Sequence, residues 1–181
     1  MHGAKACLVA PAQADLLEFQ VLRQESAAFL APWEPLVPQA EDPDHTRRFR
    51  RMLEAGRTGT SQKHFVCRNE DMAIVGCMNL NNIVRGVFQS AMLGYWIGAP
   101  HARQGFMGDA LQAALRLAFD VENLHRIEAN IRPENEASRA LVKRAGFRLE
   151  GYSPRYLKIA GSWCDHERYA LLRDEWTPPE A

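Results

Sequence analysis

The chain lacks several features at once, and each absence closes a class of function. It has no excess of either charge: 22 Lys and Arg balance 22 Asp and Glu, and the isoelectric point is near 7.0. General binding to nucleic acid or to anionic lipid needs a basic surplus, so neither is expected. No run reaches the ~18 apolar residues of a membrane-spanning helix. The four cysteines, Cys7, Cys67, Cys77 and Cys164, form no CxxC pair and no Cys/His cluster at metal-ligand spacing. They read as reduced thiols, although Cys67 and Cys77 could face each other across a hairpin, and no metal is expected. Repeats and low-complexity segments are missing too. No G-x-G-x-x-G follows the first strand, and there is no G-x-x-x-x-G-K-S/T. Ala12-Gln13-Ala14 mimics a signal-cleavage site, but the apolar run 6–10 is too short for a signal core and helical periodicity follows directly. A cytoplasmic protein is expected.

What remains is an ordinary globular composition. The 181 residues (20.5 kDa) are 46% apolar and 24% charged, which suits one domain over 1–181 with a sizeable core. Residues 5–10 read as a strand. Leu16, Phe19, Leu22, Phe29 and Leu30 follow at helical spacing, until "APWEPLVP" breaks the run. "DPDHTRRFRRMLEAGRTG" predicts a second helix, with Asp42 or Asp44 near its start and Gly56 at its end. "HFVCRNEDMAIVGCMNL" alternates like a hairpin turning at 69–71, and "FQSAMLGYWIG" is a further strand. A helix from Phe106 to about Glu122 turns Met107, Leu111, Ala114, Leu115 and Ala118 inward. "LHRIEANIR" is a strand. "NEASRALVKRAGF" is a helix capped by Asn135 and stopped by Gly146, with Phe147 folding back on Val142. Two strands around Gly161-Ser162 close the chain. The order β-α-α-β-β-β-α-β-α-β-β is that of an α/β fold on a mixed sheet.

The stretch "GYWIGAPHARQGFMGDALQAAL", residues 94–115, carries the chemistry. An apolar strand runs through a short glycine-bearing loop into a helix. A helix N-terminus offers about four unpaired N–H groups and the positive end of the macrodipole. Glycines there let a phosphate approach the backbone. On spacing alone, a pyrophosphate site and a simple turn both remain open.

In this arrangement the chain resembles the GNAT superfamily of acetyl-CoA-dependent N-acetyltransferases, and within it the RimJ type, the ribosomal-protein alanine N-acetyltransferases. The resemblance is carried by "FLAPWEP", "NLNNIVRGVFQSAMLGYWIG", "RQGFMGDAL", "LHRIEANIRPENEASRALVKRAGFRLEGY" and "YLKIAGSWCDHERYALL", which span most of the chain. It implies acetyl-CoA as cosubstrate and a gap between splayed central strands. Trp96, Ile97 and Gly98 would pair their backbone with the pantetheine arm. The N–H groups of Arg103, Gln104, Gly105, Phe106, Met107 and Gly108 would hold the pyrophosphate. Asn135 and Ser138 would sit beside the thioester, and Arg139, Lys143 and Arg144 near the nucleotide phosphates. The acceptor side would use Trp33, Glu34, the loop Asn82–Ser90 with Arg85, and Asp165 on the last strands.

Two departures from the family pattern matter. The loop pattern Q/R-x-x-G-x-G/A meets this chain with Ala102 first and Met107 last, leaving only Gly105 in register; relatives often have glycine where Arg103 stands. The tyrosine that many relatives use to protonate the leaving thiolate falls on Val142, and Ser138 is the substitute donor. Some relatives place a glutamate base where Asn130 stands. Glu128, two residues earlier on the same strand face, is the expected base; a structural pairing with Arg126 is its other reading. Glu150, Asp165 and His166 are further candidates. Backbone N–H groups near Ile97–Ala99 would polarise the thioester carbonyl. The expected acceptor is a protein N-terminus, such as that of a ribosomal protein. A small amine is the alternative, a non-catalytic CoA-binding module a third. A homodimer is left open, as is contact of the basic Arg47–Arg51 run with a partner.

Overall fold

A computed structural model describes residues 4–36, 41–42, 44–55 and 59–178. Among these residues the chain begins with β1 (Ala6–Val9), followed by α1 (Leu16–Glu25), α2 (Ala27–Leu30) and α3 (Thr46–Glu54). Then come β2 (Gln62–Arg68), β3 (Ile74–Val84), β4 (Ser90–Ile97), α4 (Phe106–Arg116), β5 (Arg126–Ile131), α5 (Glu136–Arg144), β6 (Arg148–Ile159) and β7 (Ser162–Leu172). The strands form one sheet in the order β1-β2-β3-β4-β5-β7-β6. Neighbours are antiparallel except β4 and β5, which run parallel. Parallel neighbours need a crossover, and α4 provides it.

Alternation along the strands builds two cores. On β2, Val66 faces α4 and α5, while Phe65 and Cys67 face α1 and α3. The first face packs Leu111, Leu115 and Ala118 against Met78, Leu80 and Ile127. The stripe expected on α4 is therefore inward, with Met107 half-buried at its end. The second face packs Phe19, tilted, against Phe49 and Phe65, with ring centroids 5.5 and 5.8 Å away. Removing one such ring costs about 3–5 kcal/mol.

The expected order holds, with local corrections. The long first helix is broken at Ser26, which is fully buried. The last turn of the α4 helix widens into a π-helical segment, Leu117–Val121, where the Glu122 N–H reaches Leu117 O at 2.9 Å. Cys67 does not face Cys77: the register sets Cys67 against Ile74 and Phe65 against Cys77, and all four thiols are free. The β6–β7 turn is Ala160-Gly161, one residue earlier than expected. Both have positive φ, 47° and 84°, the conformation a two-residue hairpin loop favours. Gly56 lies outside the described residues.

Aspartates stand near the start of α3 as expected, and the cap expected at Asn135 is formed. Asp44 accepts from the Thr46 N–H, and Asp42 from those of Arg47 and Arg48. Asn135 Oδ1 accepts from the Ser138 N–H at 3.1 Å. At the other end of α5, Gly146 has φ +93°, and the Phe147 N–H reaches Val142 O at 3.1 Å.

Candidate active site

The parallel pair is short. β4 and β5 share only Ser90↔Arg126, Ala91↔Ile127 and Met92↔Glu128. Beyond Met92, β4 pairs with β3 alone, and beyond Glu128, β5 pairs with β7 alone. The sheet thus opens between them. The Gly98 N–H donates to Val75 O at 2.8 Å. Ladder alternation from that bond turns the backbone of Gly94 and Trp96 to β3, and that of Leu93, Tyr95 and Ile97 to the gap. Of the expected arm-binding stretch Trp96–Gly98, only Ile97 presents an open edge. The expected carbonyl-polarising donors need the same correction, since the Gly98 N–H is occupied by Val75 and that of Ala99 by Ser26 Oγ at 2.9 Å. The break at Ser26 thereby anchors the end of β4.

The loop after β4 leads into α4 through two left-handed residues, Arg103 (φ 62°) and Gly105 (φ 93°). Arg103 thus holds a conformation that glycine adopts more readily. The N–H groups of Arg103, Gln104, Gly105, Phe106 and Met107 have no acceptor among the described residues, whereas that of Gly108 returns to Gly105 O at 3.0 Å. Five open donors at the positive end of an 11-residue helix make a seat for an anion. Phe106 is buried, edge-on to His101 at 6.3 Å, and holds the loop from below. Lys5, which sequence reasoning missed, brings its ammonium here: Nζ donates to Gln104 O at 3.2 Å. Its contact is with a segment 99 residues away, so no local pattern announces it.

A cavity of about 160 Å³ occupies the gap, lined by Trp33, Leu93, Gly94, Tyr95, Ala129, Asn130, Ile131, Arg132, Asn135, Ser138 and His166. It reaches both faces of the sheet. On the α5 face the Tyr95 hydroxyl lies 2.5 Å from Ser138 Oγ. Burial pushes the Tyr95 phenol up to about 12, so it stays protonated. Sequence reasoning missed Tyr95; its alternation with Trp96 on β4 was the available signal. On the opposite face stand Trp33, with Arg132 over its ring at 5.6 Å, and His166. Burial lowers the His166 pKa, so its ring is neutral near pH 7.

The other candidates have partners elsewhere. Glu128 is bound by Arg126 at 2.7 Å and does not line the cavity; its structural pairing is the one formed. Glu150 pairs with Arg126 and Arg148. Asp165 accepts from the Tyr152 hydroxyl and from the Arg155 N–H at 2.7 Å. Arg85 holds the Glu122 carboxylate and carbonyl, which fixes the β3–β4 loop. Arg139 binds Glu167 at 2.8 Å and Pro133 O at 3.0 Å, while Arg144 is exposed. Glu34 takes a two-pronged bond from Arg23, at 2.8 and 2.6 Å, and another from Arg48 at 3.0 Å. Burial raises the pKa of Glu34, yet the two guanidiniums together hold it below its usual value. Within the basic run, Arg47 meets Glu41 and Arg48 meets Glu34. Glu34 and Arg23 line a second, larger recess of about 660 Å³ between α1 and α3. Among the described residues no group of three or more His, Cys, Asp or Glu could hold a metal ion, and no helix is long and apolar enough to cross a membrane.

A sheet that parts between two parallel strands, with open amides at a helix end beside the opening, offers a seat for an anion next to a gap between strands. Comparison with known proteins names the family: the chain belongs to the GNAT acetyltransferases, whose acetyltransferase (GNAT) domain matches residues 5–148. It is 37% identical to the ribosomal protein uS5-alanine N-acetyltransferase of Escherichia coli (strain K12) over 156 residues, 85% of this chain and 80% of that one. Mycobacterium smegmatis RimJ, solved in complex with CoA-disulfide, matches with a TM-score of 0.87 at 30% identity, over 96% of this chain and 88% of that one. The ribosomal-protein-S5-alanine acetyltransferase of Vibrio fischeri matches with a TM-score of 0.85 at 26% identity, over 98% of each chain. The protein is an N-acetyltransferase, close to the ribosomal-protein N-acetyltransferases.

Proposed function

We propose that this enzyme transfers acetyl from acetyl-CoA to the N-terminal α-amine of a protein, a ribosomal protein being the class its relatives are named for. The observation that carries the reading is the two-faced gap between β4 and β5, with open amides on one side and a cavity through to the other. The free N–H groups from Arg103 to Met107 fit a pyrophosphate, with Lys5 adding charge. The open edges of Leu93, Tyr95 and Ile97 fit an amide-bearing arm. Ser138, polarised by Tyr95, donates a hydrogen bond to the sulfur as the C–S bond breaks. The acceptor comes from the opposite face, past Trp33. In this reading Glu128 balances the charge of Arg126, and residues 1–181 act as one cytoplasmic domain. Three buried free thiols agree with a reducing compartment.

The amine class follows from the proton it must lose. An α-amine of pKa about 7.7–8 is roughly 10–17% neutral at pH 7, a lysine amine only ~0.04%. The carboxylates near the cavity are tied to arginines or to hydrogen-bond donors, which suits the easier amine. A small amine is the second reading, favoured by the cavity's modest 160 Å³. The recess beside Glu34 has room for the following residues of a peptide and supports the first. A mass-spectrometric screen with acetyl-CoA, offering peptides beside polyamines and amino acids, tests the choice. N-terminally acetylated peptides are expected; acetylation confined to the small amines overturns it.

A further inference from the structure

Each carboxylate near the gap has a partner. Glu128 is held by Arg126, Glu150 by Arg126 and Arg148, Asp165 by the Tyr152 hydroxyl and the Arg155 N–H, and Glu34 by Arg23 and Arg48. Of these none lines the cavity. His166 does, and it is 3% exposed. Its Nδ1 lies 3.0 Å from Cys164 O. A carbonyl only accepts, so Nδ1 carries the proton and Nε2 keeps its lone pair. Nε2 has no protein partner among the described residues. The Tyr156 ring stands edge-on at 5.6 Å and fixes the imidazole plane.

We propose that His166 Nε2 is the base that takes the proton from the acceptor amine. The inference rests on the acetyl-CoA reading above. Strand alternation separates the two proton-handling groups. Tyr169 and Leu171 of β7 pack toward α5, so His166 points to the other face, while Tyr95 and Ser138 meet on the α5 face. An ammonium arriving past Trp33 gives one proton to Nε2. The freed lone pair attacks the thioester carbonyl carbon, the C–N bond forms, and the C–S bond breaks with its electron pair going to sulfur. The second proton leaving nitrogen ends on that sulfur as a thiol, beside the Ser138 hydroxyl, and His166 returns the first to water. The charged and titratable groups around the ring are Asp165 on β7, Arg132 and Glu134 after β5, and Tyr156 on β6, while Tyr95 of β4 lines the same cavity from the α5 face. Arg132 opposes protonation of the ring, Asp165 and Glu134 favour it, and burial outweighs them, which keeps the lone pair available.

The test compares wild type with His166→Gln and His166→Ala, using acetyl-CoA and an N-terminal peptide the wild type acetylates. At pH 7 kcat is expected to fall about 100-fold in both variants, with KM for acetyl-CoA unchanged. The acidic limb of the kcat profile should vanish in His166→Gln, and added imidazole should restore His166→Ala. A retained acetyl-CoA-induced rise in melting temperature shows that each variant is folded. In the carrier-free wild type, nitrogen NMR of the ring is expected to find Nδ1 protonated and Nε2 bare at neutral pH. Unchanged kcat with the same pH limb, or a proton on Nε2, overturns the proposal. If instead the wild type neither binds acetyl-CoA nor acetylates the peptide, the functional reading fails first.

Discussion

Replacing Gly105 by valine and by asparagine separates the anion grip from the fold that supports it. Gly105 sits at φ +93°, capping α4, and a Cβ there would meet only Lys5, with Nζ at 3.6 Å and Cδ at 3.9 Å. No backbone blocks it, so the cost to the fold is left-handed strain of about 1–2 kcal/mol. For a chain of this size that is a drop in Tm of about 2–8 °C. Asparagine tolerates the left-handed region and should cost less than valine. Binding is different. Either side chain stands where phosphate oxygens must pass, and N–H bonds to a charged group are worth about 1.5–3 kcal/mol each. Losing two of them weakens acetyl-CoA about 100-fold or more. Calorimetric titration of acetyl-CoA, beside melting of the carrier-free protein, reads both effects. Gly108→Ala is the control for stability: nothing lies within 4 Å of its Cβ and its φ is ordinary, so the helix gains about 0.5–1 kcal/mol. A folded Gly105→Val protein with wild-type affinity for acetyl-CoA would refute the phosphate seat.

Glu34→Ala strips the Arg23 guanidinium, whose side chain is 4% exposed, of its two-pronged partner. A loss of about 3–5 kcal/mol is expected in urea unfolding, and a loss below about 1 kcal/mol would mean that water already reaches Arg23. Ser138→Ala and Tyr95→Phe should each lower kcat by about tenfold or more without raising KM for acetyl-CoA. Because both act through one hydroxyl, the double variant should be no worse than the poorer single; additive losses contradict the shared role. Burial lowers the pKa of His64 and His166 from 6.5, so below that value the unfolded chain binds more protons than the folded one. Their contribution to stability is present above pH 6.5 and lost as pH falls through the folded values. The urea midpoint should therefore drop between about pH 7.5 and about 5.5, and a midpoint that held or rose would reverse the sign argued here.

Local chemistry by itself determined a good deal. Periodicity named the inward stripe of α4, and capping chemistry marked both ends of α5 at Asn135 and Gly146. Glycine at 105 marked where α4 begins, because that residue must take a positive φ. These features act over a few residues, so neighbours along the chain carry the whole cause. What only the tertiary structure decided is which distant groups meet. Alternation says that Glu128 and Asn130 share a strand face, but not that Arg126 ties up one of them while the other lines a cavity. Glu34 belongs to the acceptor side that the resemblance implies, yet Arg23, a helix away, takes its charge. Tyr95 and Ser138 lie 43 residues apart, and they meet beside the opening that β4 and β5 leave after Met92. A strand's side-chain pattern follows from its own residues; where its pairing ends depends on what holds its backbone from the other side, here Val75 and Ser26.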